Sequence, residues 1–276
     1  MTELVHHTGD LAPCDAVVMT MGALHEGHAS LIRRARALAG SGTVTVTVFV
    51  NPLQFGPNED LARYPRTLDA DVGIAAAAGA DVVFAPDVDE VYPGGRPQVR
   101  ITAGPMGERF EGASRPGHFD GMLTVVAKLL HLTRPAAAVF GQKDAQQLAL
   151  IRRMVTDLNF PVRIAAAPTV REPDGLALSS RNRFLTPADR EQALALSRAL
   201  FAGRDKLAEG PRAVREAAAA EVAASGIEAD YVALVDPADF TDAAPGHKGP
   251  AVLAVAAKIG ATRLIDNIPL EFGAAQ

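Results

Sequence analysis

Two histidines stand three residues apart in His25-Glu26-Gly27-His28, between a short apolar run and a helical pattern. Residues at this spacing share one face of a helix, so both imidazoles would project from its first turn. That turn also exposes unpaired backbone N–H groups and the positive end of the helix dipole, which favour anions. The tetrapeptide therefore predicts a phosphate site. A zinc site and two surface histidines without a role are the alternatives that it leaves open.

Two later segments carry cations that suit phosphate oxygens. In Leu178-Ser179-Ser180-Arg181-Asn182, hydroxyls precede a guanidinium, whose planar fork can bind phosphate in bidentate fashion. In Gly141-Gln142-Lys143-Asp144, a strand gives way to a helix, so Lys143 can reach phosphate while Asp144 accepts ribose hydroxyls or caps the helix. An ordinary serine-rich turn and a solvated Lys–Asp pair are the plainer interpretations.

Neutral amides follow the same strand ends. Gln54 and Gln147 can each donate to and accept from the oxygens of a hydroxylated carboxylate, or they can be satisfied structural amides. Met21 is either an apolar wall of such a site or a core residue. Gly22, directly after the first strand, permits the turn into the helix.

The segments that must position these residues alternate between two patterns. Strand-like runs lie at 16–19, 43–50, 81–85, 136–140 and 162–167, and helical patterns at 29–39, 67–78, 121–132 and 143–158. This alternation predicts an α/β fold with a doubly wound parallel sheet. Polar clusters at Met21–His28, Asn51–Gln54 and Gly141–Gln147 follow strands, and ligands of such sheets bind at the carboxyl ends of the strands.

After Pro168 the pattern changes. Helical segments at 187–209 and 211–224 precede strand-like runs at 231–235, 251–256 and 263–265. Helices grouped before strands predict a second, smaller α+β domain. We therefore expect one domain over residues 1–169 and another over 170–276.

Composition excludes several classes of function. The 276 residues are 48% hydrophobic, which suffices for a core, and the net charge of −5 argues against a nucleic-acid partner. Cys14 is the only cysteine, so no intrachain disulfide can form, and a buried apolar role is expected for it. No signal peptide or membrane-spanning run is present in the sequence, which predicts a soluble cytoplasmic protein with no membrane partner.

Taken together, the motifs resemble the pantothenate synthetase (pantoate–β-alanine ligase) family. The resemblance rests on Met21–His28, Phe49–Gly56, Tyr64–Thr67, Glu111–Phe119, Gly141–Gln147, Val170–Glu172 and Asp174–Asn182, in that order along the chain. The first and last of these also resemble the HIGH and KMSKS signatures of the wider nucleotidyltransferase superfamily.

The resemblance implies a homodimer of two-domain subunits, with a Rossmann-like N-terminal domain and a small C-terminal lid. It implies an enzyme that uses ATP and Mg²⁺ to join pantoate to β-alanine, with AMP and pyrophosphate as the other products. By resemblance, ATP would be lined by Met21, Gly22, Ala23, Leu24, His25, Glu26, Gly27, His28, Gly141, Gln142, Lys143, Asp144, Val170, Leu178, Ser179, Ser180 and Arg181.

The same resemblance gives substrate and catalytic roles. Pantoate would be held by Gln54 and Gln147, with Met21, Asn51, Arg115 and His118 also lining the cleft. His28, His25, Lys143 and Arg181 would carry the catalysis. The residue that ligates Mg²⁺ is not fixed, and Asp71 and Asp144 are candidates.

The chain departs from the family pattern at three positions. Met19 stands where proline is usual, Ala145 where tyrosine is common and Leu178 where methionine is common. None of these changes removes a polar donor, so they bear on packing. Two other hypotheses remain at this stage, a nucleotidyltransferase of the pantetheine-phosphate adenylyltransferase kind and a nucleotide-binding regulatory module.

Overall fold

The computed structural model describes residues 2–56, 61 and 64–273. The chain groups into two compact units, one made of Met1–Gly141 with Leu150–Ala167 and the other of Gln142–Ala149 with Pro168–Gln276. The expected boundary between residues 169 and 170, and the lid role of the second domain, stay predictions.

A parallel sheet forms the centre of the first unit. Its strands are β1 (Glu3–Val5), β2 (Ala16–Thr20), β3 (Val44–Val48), β4 (Val82–Phe84), β5 (Ala137–Gly141) and β6 (Arg163–Ala167). They lie in the order β1-β4-β3-β2-β5-β6, all parallel. The strand order reverses between β2 and β5, which confirms the doubly wound sheet and marks the carboxyl end of β2 as its switch point.

Six helices accompany these strands among the described residues. They are α1 (Glu26–Ala39), α2 (Leu68–Ala78), α3 (Val88–Val91), α4 (Glu111–Ser114), α5 (His118–Thr133) and α6 (Ala145–Asp157). Helix α5 is apolar nearly all round and largely buried. Gly121 lets it approach the turn at 52–54, because a Cβ there would lie 2.1 Å from the Leu53 carbonyl oxygen.

The second unit has its own core. Helices α7 (Pro187–Arg204) and α8 (Pro211–Ala224) pack with an antiparallel sheet of β7 (Ala229–Val235), β8 (Gly249–Ile259) and β9 (Thr262–Phe272). Thr186 caps α7 in a reciprocal capping box with Asp189, and Pro187 occupies the first helical position. These elements confirm the expected smaller α+β part of the fold.

Some elements extend beyond what the sequence predicted. Helix α1 begins at Glu26, three residues before the apolar pattern of 29–39 and with the histidines at its first turn as expected, β9 continues to Phe272 rather than ending at Ile265, and strand β1 was not predicted. Cys14 is buried as expected, and burial raises the pKa of its thiol. Among the described helices, none combines the length and apolar character that crossing a membrane requires.

Candidate active site

The turn after β2 departs from ordinary backbone conformation. Gly22 has φ +85°, and a Cβ at this position would lie 3.0 Å from Asp71 Oδ2 and 3.1 Å from Val48 Cγ1. Ala23 follows with φ +52°. Glycine is strongly favoured at the first of these positions, because L residues rarely adopt this φ angle and a Cβ would crowd both neighbouring side chains. The chain thereby turns directly from the end of β2 into α1.

Asp71 on α2 holds this turn. Its carboxylate is 1% exposed and accepts hydrogen bonds from Ala23 N at 3.1 Å and Leu24 N at 2.7 Å. The hydroxyl of Thr67 donates to the same carboxylate at 3.1 Å. Buried charged groups in proteins are normally paired or hydrogen-bonded, and these three hydrogen bonds meet that need for the Asp71 carboxylate. Sequence reasoning offered Asp71 as a candidate Mg²⁺ ligand, whereas the structure gives it a role in positioning backbone.

His25 and His28 cap α1 reciprocally. His25 is the N-cap residue, and its Nδ1 accepts from Gly27 N at 3.1 Å, while His28 Nδ1 accepts from His25 N at 3.3 Å. The ring centroids lie 4.2 Å apart. Since each Nδ1 accepts a backbone hydrogen, each ring must carry its own hydrogen on Nε2. We call Met21–His28 the histidine loop.

This tautomer favours one of the alternatives left open by the sequence over another. A metal-bound imidazole nitrogen needs a lone pair, but the remaining Nε2 of each ring is a donor. Among residues 2–56, 61 and 64–273, no group of three or more His, Cys, Asp or Glu side chains is placed to hold a metal ion. Two N–H donors at the positive end of a helix suit phosphate rather than zinc.

The other residues of the histidine loop differ in exposure. Leu24 is buried in the core of the first unit, Met21 and Gly27 are half-buried, and Glu26 is exposed and paired with Arg33. The carboxylate of Glu26 thus binds Arg33 of the same helix. Glu26 belongs to the predicted ATP site only because it lies in the histidine loop.

A second polar group follows β3. Asn51 is 1% exposed and donates to Gln54 Oε1 at 2.8 Å and to the Gly121 carbonyl at 3.1 Å, while its Oδ1 accepts from Leu53 N and from Tyr92 Oη. Burial raises the pKa of Tyr92, so its phenol stays a donor. The amide of Asn51 thus uses both donors and both lone pairs within the protein, which makes it a positioning residue for Gln54.

The orientation of Gln54 follows from that network. Because Asn51 Nδ2 must face an acceptor, the Oε1 of Gln54 points to it and the Nε2 donors point elsewhere. Its backbone carbonyl accepts from His118 Nδ1 at 3.0 Å and from Arg115 at 3.4 Å. His118 Nε2 therefore accepts from Arg115, 3.0 Å away. The structure brings Asn51, Gln54, Arg115 and His118 together, as the resemblance implied.

In the second unit, the predicted ATP residues of the segment after β5 lie close to β9. Lys143 is half-buried, and its carbonyl oxygen accepts from Asn267 Nδ2 at 2.7 Å. Gln142 lies in the same turn, which follows Gly141, the last residue of β5. Asp144 is exposed, directly before α6, and Gln147 is half-buried in the first turn of that helix.

The segment Val170–Phe184, which we call the serine segment, contains a tight hairpin and a short helical turn. Leu178 N donates to the Val170 carbonyl at 2.9 Å, and Gly175 turns the hairpin with φ +97°. Ser179 then caps the turn Ser180–Phe184, its hydroxyl accepting from Arg181 N at 3.3 Å. The side chain of Arg181 is exposed. Lys143, Ser179 and Asn182 line one small cleft, whose wall includes Asp266.

Ion pairs that the sequence did not suggest hold the serine segment. Arg171 binds Asp266 of β9 through two hydrogen bonds of 2.6 and 2.9 Å, and Asp266 is 4% exposed. Arg190 on α7 binds both Glu172 and Asp174. The sequence analysis did not identify Asp266 and Asn267, two polar residues directly after the predicted strand at 263–265. Their partners Arg171 and Lys143 lie about a hundred residues earlier, so no local pattern indicated these contacts.

Comparisons with known proteins agree on one family. A family model described as pantoate-beta-alanine ligase matches residues 6–269. The pantothenate synthetases of Streptomyces avermitilis and Streptomyces coelicolor are 61% and 62% identical, over 94% of this chain and 93% and 91% of theirs.

Solved structures give the same result. The pantothenate synthetase of Thermus thermophilus superposes with a TM-score of 0.90 at 43% identity, covering 97% of this chain and 99% of that one. The pantoate-beta-alanine ligase of Francisella tularensis, complexed with beta-gamma ATP and beta-alanine, has a TM-score of 0.75 at 35% identity and covers 97% of both chains.

Proposed function

Because the chain belongs to the pantoate–β-alanine ligase family, and is an enzyme of that activity, we propose that it forms pantothenate through a pantoyl adenylate. A pantoate carboxylate oxygen attacks the α-phosphorus of ATP, and the bond to pyrophosphate breaks. The β-alanine amine then attacks the acyl carbon of the adenylate, loses a proton and expels AMP. No enzyme nucleophile takes part.

One observation carries the proposal for the first step. His25 and His28 each present an Nε2–H at the N-terminus of α1, because their Nδ1 atoms accept backbone hydrogens. Phosphate oxygens gain negative charge as pyrophosphate leaves, and fixed donors aimed at such charge contribute about 10²–10³ in rate each. The backbone supplies the orientation, so neither ring reorganises during the reaction. We propose His28 and His25 as catalytic donors to the phosphates of ATP.

We propose that the remaining phosphate ligands come from the second unit. Lys143 and Arg181 supply charge, and Ser179 and Ser180 supply hydroxyl donors within the same short segment. The exposed guanidinium of Arg181 and the half-buried ammonium of Lys143 support this role, because neither has a carboxylate partner among the described ion pairs. Gly141, Gln142, Asp144, Val170 and Leu178 are proposed to line the nucleotide as well.

Pantoate is proposed to be held by two side-chain amides. Gln54 is fixed by Asn51 with its Nε2 donors directed away from that contact, which suits hydroxyl oxygens of a small acid. Gln147 is the second amide. Arg115 and His118 brace the backbone of Gln54, so they are proposed to set its position.

Mg²⁺ is proposed to arrive with ATP. The described residues offer no cluster of metal ligands, and Asp71 is committed to backbone N–H groups, so the donor set fits an ion held mainly by phosphate oxygens. Asp144, exposed before α6, is the carboxylate that would contact it. Bound there, Mg²⁺ would neutralise phosphate charge. We also propose a homodimer in the cytoplasm, as the family resemblance implies.

An isotope-exchange assay tests the adenylate. Incubated with ATP, labelled pyrophosphate and pantoate, the enzyme is expected to incorporate label into ATP without β-alanine. Addition of β-alanine should release AMP in equal amount to pantothenate. Exchange without pantoate would mean that the adenylyl group is transferred to an acceptor other than pantoate, and ADP in place of AMP would indicate an acyl phosphate; either result would overturn the mechanism.

A further inference from the structure

The position of Lys143 depends on a side chain remote in sequence. Lys143 lies in the turn between β5 and α6, outside the hydrogen-bond ladder of either element. Its carbonyl oxygen accepts from Asn267 Nδ2 at 2.7 Å, across 124 residues of chain. Because this turn has no ladder of its own, the side chain that donates to the Lys143 carbonyl helps to set the position of Lys143.

Asn267 is itself held rigidly. It is 5% exposed in β9, and its backbone N–H donates to Asp266 Oδ1 at 2.7 Å. The same Asp266 receives two hydrogen bonds from Arg171, whose guanidinium also donates to the Asn267 carbonyl at 3.3 Å. Stacking of the guanidinium against Phe201, 5.3 Å from the ring centroid, limits its movement further.

Arg171 extends the network to the serine segment. It donates to the Gly175 carbonyl at 3.1 Å, within the hairpin that leads directly to Ser179. One guanidinium therefore fixes the hairpin on one side and the pair Asp266–Asn267 on the other. Lys143 and Ser179 line the same small cleft, so this network determines the spacing of two proposed phosphate ligands.

We propose that Asn267 is a positioning residue for the reaction, acting through Lys143, with Arg171 and Asp266 as its support. The inference rests on the proposed function, in which Lys143 contacts phosphate. Displacing a charged ligand by about 1 Å can lower a rate by as much as about 10²-fold. Loss of the Asn267 amide therefore lowers the rate of adenylate formation, while the folded state persists.

A double-mutant cycle tests this. Asn267→Leu keeps the side-chain volume and removes the donor, Lys143→Ala removes the ammonium but keeps the carbonyl, and Glu271→Leu is the control at an exposed site on β9. The readout is pantoate-dependent ATP–pyrophosphate exchange, with thermal unfolding measured for every variant. We expect Asn267→Leu to lower the exchange rate about 10-fold or more. In the Lys143→Ala background the same change should cost no more than about 2-fold.

Three results would overturn the proposal. They are wild-type exchange by Asn267→Leu, an equal loss with and without the Lys143 side chain, and loss of the fold in both Asn267→Leu and Asn267→Ala. The last would make Asn267 a stability residue. Absence of pantoate-dependent exchange in the unmodified enzyme is a separate outcome, which would contradict the proposed function itself.

Discussion

The histidine loop and the serine segment each carry proposed phosphate ligands, but different forces hold them in place. In the histidine loop, imidazole nitrogens and the single buried carboxylate of Asp71 accept backbone N–H groups. In the serine segment, arginines bind carboxylates, through Arg171–Asp266 and through Arg190 with Glu172 and Asp174. The first arrangement orients neutral donors, and the second balances opposite charges.

The difference lies in how each arrangement responds to its surroundings. Hydrogen bonds to buried backbone are little affected by salt, whereas exposed ion pairs are weakened as salt is added. The ion pairs that hold the serine segment also differ in burial. Asp266, the partner of Arg171, is 4% exposed, whereas the side chain of Arg190, the partner of Glu172 and Asp174, is 36% exposed. Removing one partner of the buried pair should therefore cost the second unit more stability than breaking one of the exposed pairs.

Breaking the buried pair is expected to have the largest effect. Asp266→Asn leaves the Arg171 guanidinium in a protein interior without its counter-charge, which typically costs about 3–5 kcal/mol. Denaturant unfolding followed in the second unit measures the loss. Asp230→Asn, which breaks the more exposed Arg263–Asp230 pair of the same sheet, is the control and should cost much less. The double change Arg171→Met with Asp266→Leu removes both charges and should recover part of the lost free energy of unfolding. Equal losses for Asp266→Asn and for Asp230→Asn would contradict the idea that burial makes the Arg171–Asp266 pair the more important one.

The next largest effect should be catalytic and confined to the histidine loop. His28→Ala removes the proposed phosphate donor and is expected to lower pantoate-dependent exchange about 10²–10³-fold. It also removes the acceptor for His25 N, so a loss of about 1 kcal/mol of helix-cap stability should accompany it. Ser30→Ala, which removes a hydroxyl bound to the Gly27 carbonyl in the same turn, is the control. Wild-type exchange by His28→Ala would remove His28 from the mechanism.

Much of this contrast was open to prediction from sequence. β-branched runs such as Val44–Val48 predicted the central strands, and the spacing of His25 and His28 predicted their common position. The apolar periodicity of α1 was visible only from Ala29, while the position of the two histidines in its first turn was predicted; that His25 itself is the N-cap gave no signal, because histidine is not among the usual N-cap residues. The three-residue strand β1 forms only by pairing with β4, and pairing leaves no local pattern.

The supporting residues were harder to predict. Strand β9 was expected to end before Asp266 because Asp266 and Asn267 are polar and Pro269 follows. The structure buries both polar side chains with Arg171 and the Lys143 carbonyl, and β9 is an edge strand, where proline is tolerated. Long-range partners decide burial here. The acceptor role of Asp71 was hidden for the same reason.

A smaller loss of stability is expected from the acceptor that holds the histidine loop. Asp71→Asn keeps one oxygen but turns an NH₂ group towards Ala23 N or Leu24 N, so about 1.5–3 kcal/mol should be lost. The measurement is the unfolding midpoint of the first unit, repeated at high salt, where the loss should be unchanged because the site is buried. Asp69→Asn, exposed in the first turn of the same helix, is the control. If high salt abolished the loss of stability, the histidine loop would be held by charge–charge attraction, as the serine segment is.

The smallest effect should come from Arg190→Gln. The hydrogen bond from Arg190 lowers the pKa of Asp174 below its ordinary value of 3.8. A lowered pKa in the folded state stabilises the fold above the unfolded pKa, and this contribution is lost as the pH falls through the folded value. Unfolding midpoints of wild type and Arg190→Gln should therefore differ slightly at neutral pH and converge below about pH 4. They should also converge in about 1 M salt, where the Debye length is about 3 Å.

Arg198→Gln is the matched control, because it breaks another exposed pair, the one with Glu221. It should leave the rate of ATP–pyrophosphate exchange unchanged. A difference that persists in salt and acid would mean that Arg190 holds the serine segment by packing, and the contrast between the two loops would then rest on Asp266 alone.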